Sequence, residues 1–261
     1  MRRAVHTLAS GRCGLSLLWL WLGATVLLLG PGAAAVGAAG PLLTEDTRTL
    51  DPGQIELELR GDYAKAEEGT LWRFATGVNI GVLPGLEVDA EAAFVHLNPD
   101  EGNTRSGLGT TFVTVKYRFL DETERRPAFM GAVVLGLPTG NEDFVLVEEG
   151  VLVQPIAVIS KTFGPLMLTL NGGYIFNTAD SDRDFWVVRG SFEYKVTDAW
   201  TIVGEVSSEL SARGDTDIVV LRPGTVLAIT EGIEVYTAVG FGLTRDSPDV
   251  TVTLGVKIAL F

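Results

Sequence analysis

The sequence predicts an all-β fold, a transmembrane antiparallel up-and-down β-barrel of about twelve strands behind a cleaved signal peptide. Three observations carry this. The first is strict two-residue alternation, clearest in the last stretch. There Val250, Val252, Leu254, Val256, Ile258 and Leu260 share one parity, while Thr251, Thr253, Gly255, Lys257 and Ala259 share the other. The second is that tight and long connections alternate along the chain. The third is an N-terminal leader. A soluble sheet hides such apolar faces under a second layer, whereas a membrane barrel turns them to lipid.

The leader spans residues 1–39. Arg2, Arg3 and Arg12 precede an apolar run over 15–30, Pro31 and Gly32 break it, and small residues follow. Ala33 and Ala35 form an A-x-A cleavage site, with a second candidate after Ala39. A retained anchor of about 20 residues is the rival reading. Residues 40–261 are then the barrel. Cys13 is the only cysteine and lies in the leader, so the mature chain has no disulfide, thiolate nucleophile or cysteine metal site. Removing the leader takes away three arginines and no acid, which leaves a net charge of −16. That balance argues against nucleic acid.

The strands follow in order. In 54–63, Ile55, Leu57 and Leu59 alternate with Glu56, Glu58 and Arg60. In 71–82, Trp72, Phe74, Val78 and Ile80 alternate with Arg73, Gly77 and Asn79. In 86–96 the polar face is Glu87, Asp89 and Glu91, and in 110–119 it is Thr114, Lys116 and Arg118. The segments 128–137 and 151–163 are apolar on both faces. In 166–177, Leu168, Leu170, Tyr174 and Phe176 alternate with Thr169 and Asn171. Arg189, Glu193 and Lys195 mark the polar face of 185–196, and Glu205 and Glu209 that of 200–210. The segment 217–229 is mixed, 233–243 carries Glu234 on its small-residue face, and the final strand closes the set. Pro155 and Pro223 predict bulges or strand ends, because proline cannot donate to a ladder. They widen the strand count to roughly ten to fourteen.

The tight connections are 83–85, 164–165, 197–199 and 230–232, with 121–126 a longer member. The long polar ones are 62–70, 98–106, 138–150, 178–184, 211–216 and 244–249. Short turns on one side and long loops on the other are the outer-membrane arrangement, with both termini periplasmic. Tyr63, Trp72, Phe94, Tyr174, Phe176, Trp186 and Phe241 sit near the loop-side strand ends. Tyr117, Phe119, Phe163, Tyr194 and Trp200 sit near the turn side. These are two interfacial girdles; a soluble sandwich would place its aromatics mid-strand.

Charges at membrane depth must face a lumen or pair. The expected lumen set is Glu56, Glu58, Arg60, Arg73, Glu87, Asp89, Glu91, Lys116, Arg118, Arg189, Glu193, Lys195, Glu205, Glu209 and Glu234. Antiparallel pairing brings Glu87 and Asp89 beside Lys116 and Arg118, and Arg189 near Glu205. Two readings stay open: a polar pore whose transverse field orients a charged solute, or a salt-bridged ladder that fills the lumen. Eight strands leave a filled interior and about 16 a channel, so strand number does not choose.

His96 is the only histidine beyond the leader, with Ser106 and Asp100 in the same predicted loop. Nothing in the spacing fixes a triad, so no enzyme is expected and a barrel hydrolase is a minor alternative. Residues 180–184 resemble the start of a calcium loop but lack its glycine and late glutamate. Arg213, Gly214 and Asp215 form a chance adhesion-like triplet. No cofactor or metal site is expected. The expected partners are outer-membrane lipid and lipopolysaccharide, the barrel-assembly machinery and a small solute.

Leu135-Gly136-Leu137-Pro138-Thr139-Gly140 ends an apolar strand, and Leu170-Asn171-Gly172-Gly173-Tyr174-Ile175-Phe176-Asn177 forms another, with Gln154 and Pro155 between them. With these motifs the last two-thirds of the chain resembles the outer-membrane barrel family named for the meta-pathway of phenol degradation. The resemblance implies a channel or transporter for small compounds, aromatic ones among them, and supplies no catalytic residues. The lumen charge favours polar or charged solutes instead. In one departure, Phe261 falls on the parity of Lys257, whereas a terminal aromatic normally shares the lipid-facing parity.

Overall fold

The computed structural model describes residues 42–140, 150–214 and 217–260. The strands are β1 (Ile55–Ala66), β2 (Gly69–Leu83), β3 (Leu86–Pro99), β4 (Arg105–Leu108), β5 (Thr111–Leu120), β6 (Ala128–Leu137) and β7 (Leu152–Phe163). There follow β8 (Leu166–Asn177), β9 (Phe185–Thr197), β10 (Trp200–Ser211), β11 (Asp217–Thr230), β12 (Ile233–Gly242) and β13 (Val250–Ala259). Every pairing is antiparallel. Consecutive strands pair, except that β4 and β5 both pair with β3 and not with each other, and β1 pairs with β13. β4 and β5 are therefore one stave: Gly109 N–H still donates to Ala93 O in the β4 register, and the pairing with β3 then slips by one residue before Phe112. The sheet closes as a twelve-stave barrel.

Alternation decides what faces where. Trp72, Phe94, Phe176, Trp186 and Phe241 are exposed at the loop end. Tyr117, Phe119, Phe163, Tyr194 and Trp200 are exposed at the turn end. Leu168, Leu170, Val188, Val206 and Leu254 form the apolar band between them. Greasy side chains point outward on a closed wall, which excludes the sandwich. The opposite parity points inward: Glu56, Glu87, Lys116, Glu205 and Lys257 are all buried. β6 and β7 are apolar on both faces because Met130, Ala132, Ile156 and Val158 form a buried inward cluster.

Two expectations are corrected. The 62–70 connection is mostly strand, because β1 and β2 run on to a two-residue hairpin at Glu67 and Glu68. Pro155 and Pro223 neither bulge nor end a strand. At each, two rows of one neighbouring ladder go unpaired while the register is kept on both sides. The missing N–H removes the bonds without adding a residue. The leader, Phe261 and most of the 138–150 connection lie outside the described residues.

Candidate functional site: a segment inside the lumen

The element that sequence reasoning left unassigned is the stretch before β1. Asp51 to Gln54 is a tight turn in which Gln54 N–H donates to Asp51 O at 3.0 Å. Pro52 pre-sets the first bend, and Gly53 takes φ +86°, which the second central position of such a turn requires. The reversal sends residues 42–50 back up inside the barrel.

The segment has no regular structure, so its backbone groups need partners from the wall. Leu50 N–H donates to Glu87 Oε2 at 2.6 Å. Thr47 N–H donates to Ser160 Oγ at 3.3 Å, and Thr47 O accepts from Arg118 at 3.4 Å. Asn171 clasps Glu45 twice, accepting from its N–H at 2.8 Å and donating to its carbonyl at 2.7 Å. The Thr44 N–H and hydroxyl both donate to Glu205 Oε2, at 2.6 and 2.5 Å. Leu43 O accepts from Arg189 at 2.8 Å. The contacts come from β3, β5, β7, β8, β9 and β10, so the segment crosses the lumen rather than lying on one wall.

Ion pairs reinforce it. Arg48 donates to Asp46 at 2.5 Å and to Glu193 at 2.7 Å. Burial alone would raise the Asp46 carboxyl, but the adjacent Arg48 guanidinium outweighs it and holds that carboxyl below its ordinary value. Lys116 joins segment and wall, reaching Glu45 at 2.8 Å, Asp89 at 2.7 Å and Glu87 at 3.3 Å.

The expected lumen residues are largely brought together, with two changes of partner. Glu87 is directly opposite Lys116, but Asp89 is opposite Thr114. Arg118 turns instead to Thr47 and to Asp121 at 2.8 Å. Arg189 is opposite Ser207 and pairs with Glu209 at 3.1 Å, while Glu205 pairs with Arg222. Lys116 thus keeps both expected acids, while Arg118 and Arg189 take other partners. Arg60, Arg73, Asp62 and Glu91 form a closed square of four ion pairs on β1, β2 and β3. Glu56 holds Lys257 at 3.5 Å and accepts from Asn79 at 2.9 Å. Glu234 stands opposite Lys257 in register. Lys195 is exposed at the turn end.

Tyr236 was also missed. Its ring is buried over Gly255, where a Cβ would collide with it, and its hydroxyl donates to Glu58. The aromatic-opposite-glycine pair was the readable signal.

Above the segment the lumen holds a cavity of about 580 Å³. Leu42 to Glu45 form its floor. One side is charged, with Glu58, Asp62 and the arginines of the square. The other is apolar: Phe112, Val134, Leu152, Ile156, Ile175 and Phe185. Acidic and basic residues line it in equal number.

The remaining candidates do other work. His96 Nδ1 meets Ser106 Oγ at 2.5 Å because the two residues are opposite in the β3–β4 ladder. Both face away from the lumen, and among the described residues no carboxylate bonds the imidazole. Asp184 accepts from Tyr174 OH at 3.1 Å and from Asn177 N–H at 2.9 Å, so it caps a loop. Among the described residues no cluster of histidine, cysteine and acidic side chains is arranged for a metal ion.

A family model described as "Putative MetA-pathway of phenol degradation" matches residues 40–260. The chain belongs to this family. The match extends past the two-thirds that the motifs covered, and the motifs have structural roles. Thr139 of L-P-T-G donates to Gly109 O at 3.1 Å and accepts from Thr111 N–H at 3.1 Å, which secures the β4–β5 break. Asn171 of the second motif clasps the segment. Among solved structures, the COG4313 outer membrane channel from Pseudomonas putida F1 is 14% identical with a TM-score of 0.68. The match covers 82% of this chain and 98% of that one. The NanC porin is 13% identical, with coverages of 77% and 98% and a TM-score of 0.57. The KdgM porin is 13% identical, with coverages of 78% and 98% and a TM-score of 0.56. No curated protein sequence matches the chain. At these identities the structural likeness shows the barrel fold.

Proposed function

We propose that the protein is a non-enzymatic outer-membrane conduit for small solutes, closed on its turn side by its own N-terminal segment. The observation that carries this is the cavity of about 580 Å³ held open above a segment fastened largely by hydrogen bonds and ion pairs. A lumen meant only to be filled would not keep that space. The turn end and the last strand then face the periplasm, and the loop end faces the lipopolysaccharide. The exposed apolar band meets lipid, and insertion uses the barrel-assembly machinery.

The cavity reconciles two conflicting hints. An apolar side opposite a balanced charged side suits a solute with an apolar body, aromatic rings included, and a polar head. An excess of either charge would instead select ions. The porin and channel neighbours support the conduit reading through their shared fold.

A sealed barrel serving as a surface-interaction scaffold is the second reading, favoured by the density of bonds on residues 43–50. Swelling of proteoliposomes in small neutral and zwitterionic solutes separates the two. A conduit admits solutes smaller than the cavity and excludes larger ones. Proteoliposomes that admit none support the sealed barrel.

A further inference from the structure

The barrel wall loses two rows of pairing beside the apolar side of the cavity. Between β7 and β8, Val153 pairs with Phe176 and Ile156 with Gly173, and the two rows between them are unpaired. Pro155 explains the break, since it has no N–H to give. Gln154 and Ile175 form the inner row and line the cavity. Gln154 Nε2 is buried there with no hydrogen-bond partner among the described residues. Pro155 and Tyr174 form the outer row.

On the outside, Tyr174 meets Phe176 and Trp186 with ring centroids 4.5 and 4.7 Å away. Beside them a Cβ on Gly172 would touch nothing within 4 Å, so the surface is bare at that point. The seam is shut in this structure: a Cβ on Gly173 would lie 2.6 Å from Pro155 O. The second break, at Pro223, differs on its inner side. There Arg222 is locked to Glu205 and bonds Ser207 at 3.3 Å, a charged row that an apolar molecule does not cross.

We propose that the β7–β8 seam at Pro155 is a lateral exit, through which solutes with an apolar body pass from the cavity into the loop-side half of the membrane. The inference rests on the conduit reading. Apolar area held against Ile175 and its neighbours stays out of water when it moves to lipid. The axial route instead crosses the charged segment. Backbone groups cannot be stripped of partners in lipid without cost, and here the rows that must part are already unpaired.

The test is a Gln154→Cys/Ile175→Cys pair in a chain with Cys13→Ser, which otherwise has no cysteine. Barrel formation is checked by the gel shift between unboiled and boiled samples. Entry of N-phenyl-1-naphthylamine, which fluoresces once in lipid, is followed in cells beside swelling by a small sugar in proteoliposomes. The reduced protein serves as the control for the substitutions themselves. Oxidation is expected to slow naphthylamine entry roughly tenfold, a modest rise in barrier, and to leave sugar permeation unchanged. Pro155→Val, which restores a ladder donor, shifts entry the same way without a cross-link. Equal naphthylamine entry in both redox states overturns the exit while sugar permeation keeps the conduit. Loss of both rates on oxidation also overturns it, since the cross-link then blocks one common path. A reduced protein that passes neither solute removes the conduit reading, and the exit with it.

Discussion

Deletion of residues 42–50 raises single-channel conductance in planar bilayers from brief, small openings to a steady open level. The segment crosses the turn half of the lumen, and a barrel of twelve staves is wider than the eight that side chains alone can fill. With the segment gone, Glu87, Ser160, Asn171 and Glu205 lose their partners in it and are hydrated. The wall is expected to survive, because β1 to β13 keep every ladder. The segment is expected to be held by a net free energy far below the sum of its contacts. Its hydrogen bonds replace bonds to water, and each contributes only a fraction of its gross strength. Ordering an irregular stretch opposes them. The same balance lets it leave in the intact protein. Unchanged conductance after the deletion would mean that the loop end, and not this segment, closes the path.

Lys116→Met produces the largest loss of stability expected from a single substitution. Lys116 is buried and joins Glu45, Glu87 and Asp89. Methionine keeps the volume but leaves three carboxylates facing one another. Removing one partner of a buried ion pair typically costs about 3–5 kcal/mol. The melting of the unboiled form, followed on detergent gels over temperature, reads the effect. Acidic buffer should restore much of the loss, because protonating the carboxylates removes their repulsion. A melt unchanged at neutral pH would show that water reaches this cluster and screens it. The same variant should also conduct more, since Glu45 loses its anchor to the wall.

The wall of this protein was legible in its sequence, and its interior only in part. Alternation set the strands because a one-residue slip would turn Glu87 to lipid and Val88 to the lumen. It therefore gave the inward facing of charges such as Glu56, Glu87, Lys116, Arg189 and Glu205, but it missed Arg222 in the mixed segment 217–229 and put Lys195 in the lumen, where the structure has it exposed at the turn end. It did not give partners two residues apart, which share a face. Arg189 reaches Glu209 rather than Glu205 because Glu205 is already held by Arg222 and Thr44. Residues 42–50 were unreadable by periodicity, since an irregular segment has none. The one available signal was chemical: Thr44, Glu45, Asp46, Thr47 and Arg48 are all able to bond, and an Asp-Pro-Gly turn follows them. The proline breaks were read in the right places with the wrong consequence. A missing donor removes ladder bonds, whereas a bulge needs an added residue.

The most direct measurement is a disulfide between the segment and the wall. Thr47 and Ser160 are bonded at 3.3 Å, across the lumen from β1. In a Cys13→Ser chain, Thr47→Cys and Ser160→Cys should oxidise within the folded barrel in outer membranes, seen as protection of both thiols from maleimide after mild oxidation. The oxidised channel should stay closed in planar bilayers and regain its openings when dithiothreitol is added. Thiols that never couple in a barrel of normal heat-modifiability, with the thiol at position 47 freely labelled, would contradict the account, because the segment would then lie outside the lumen.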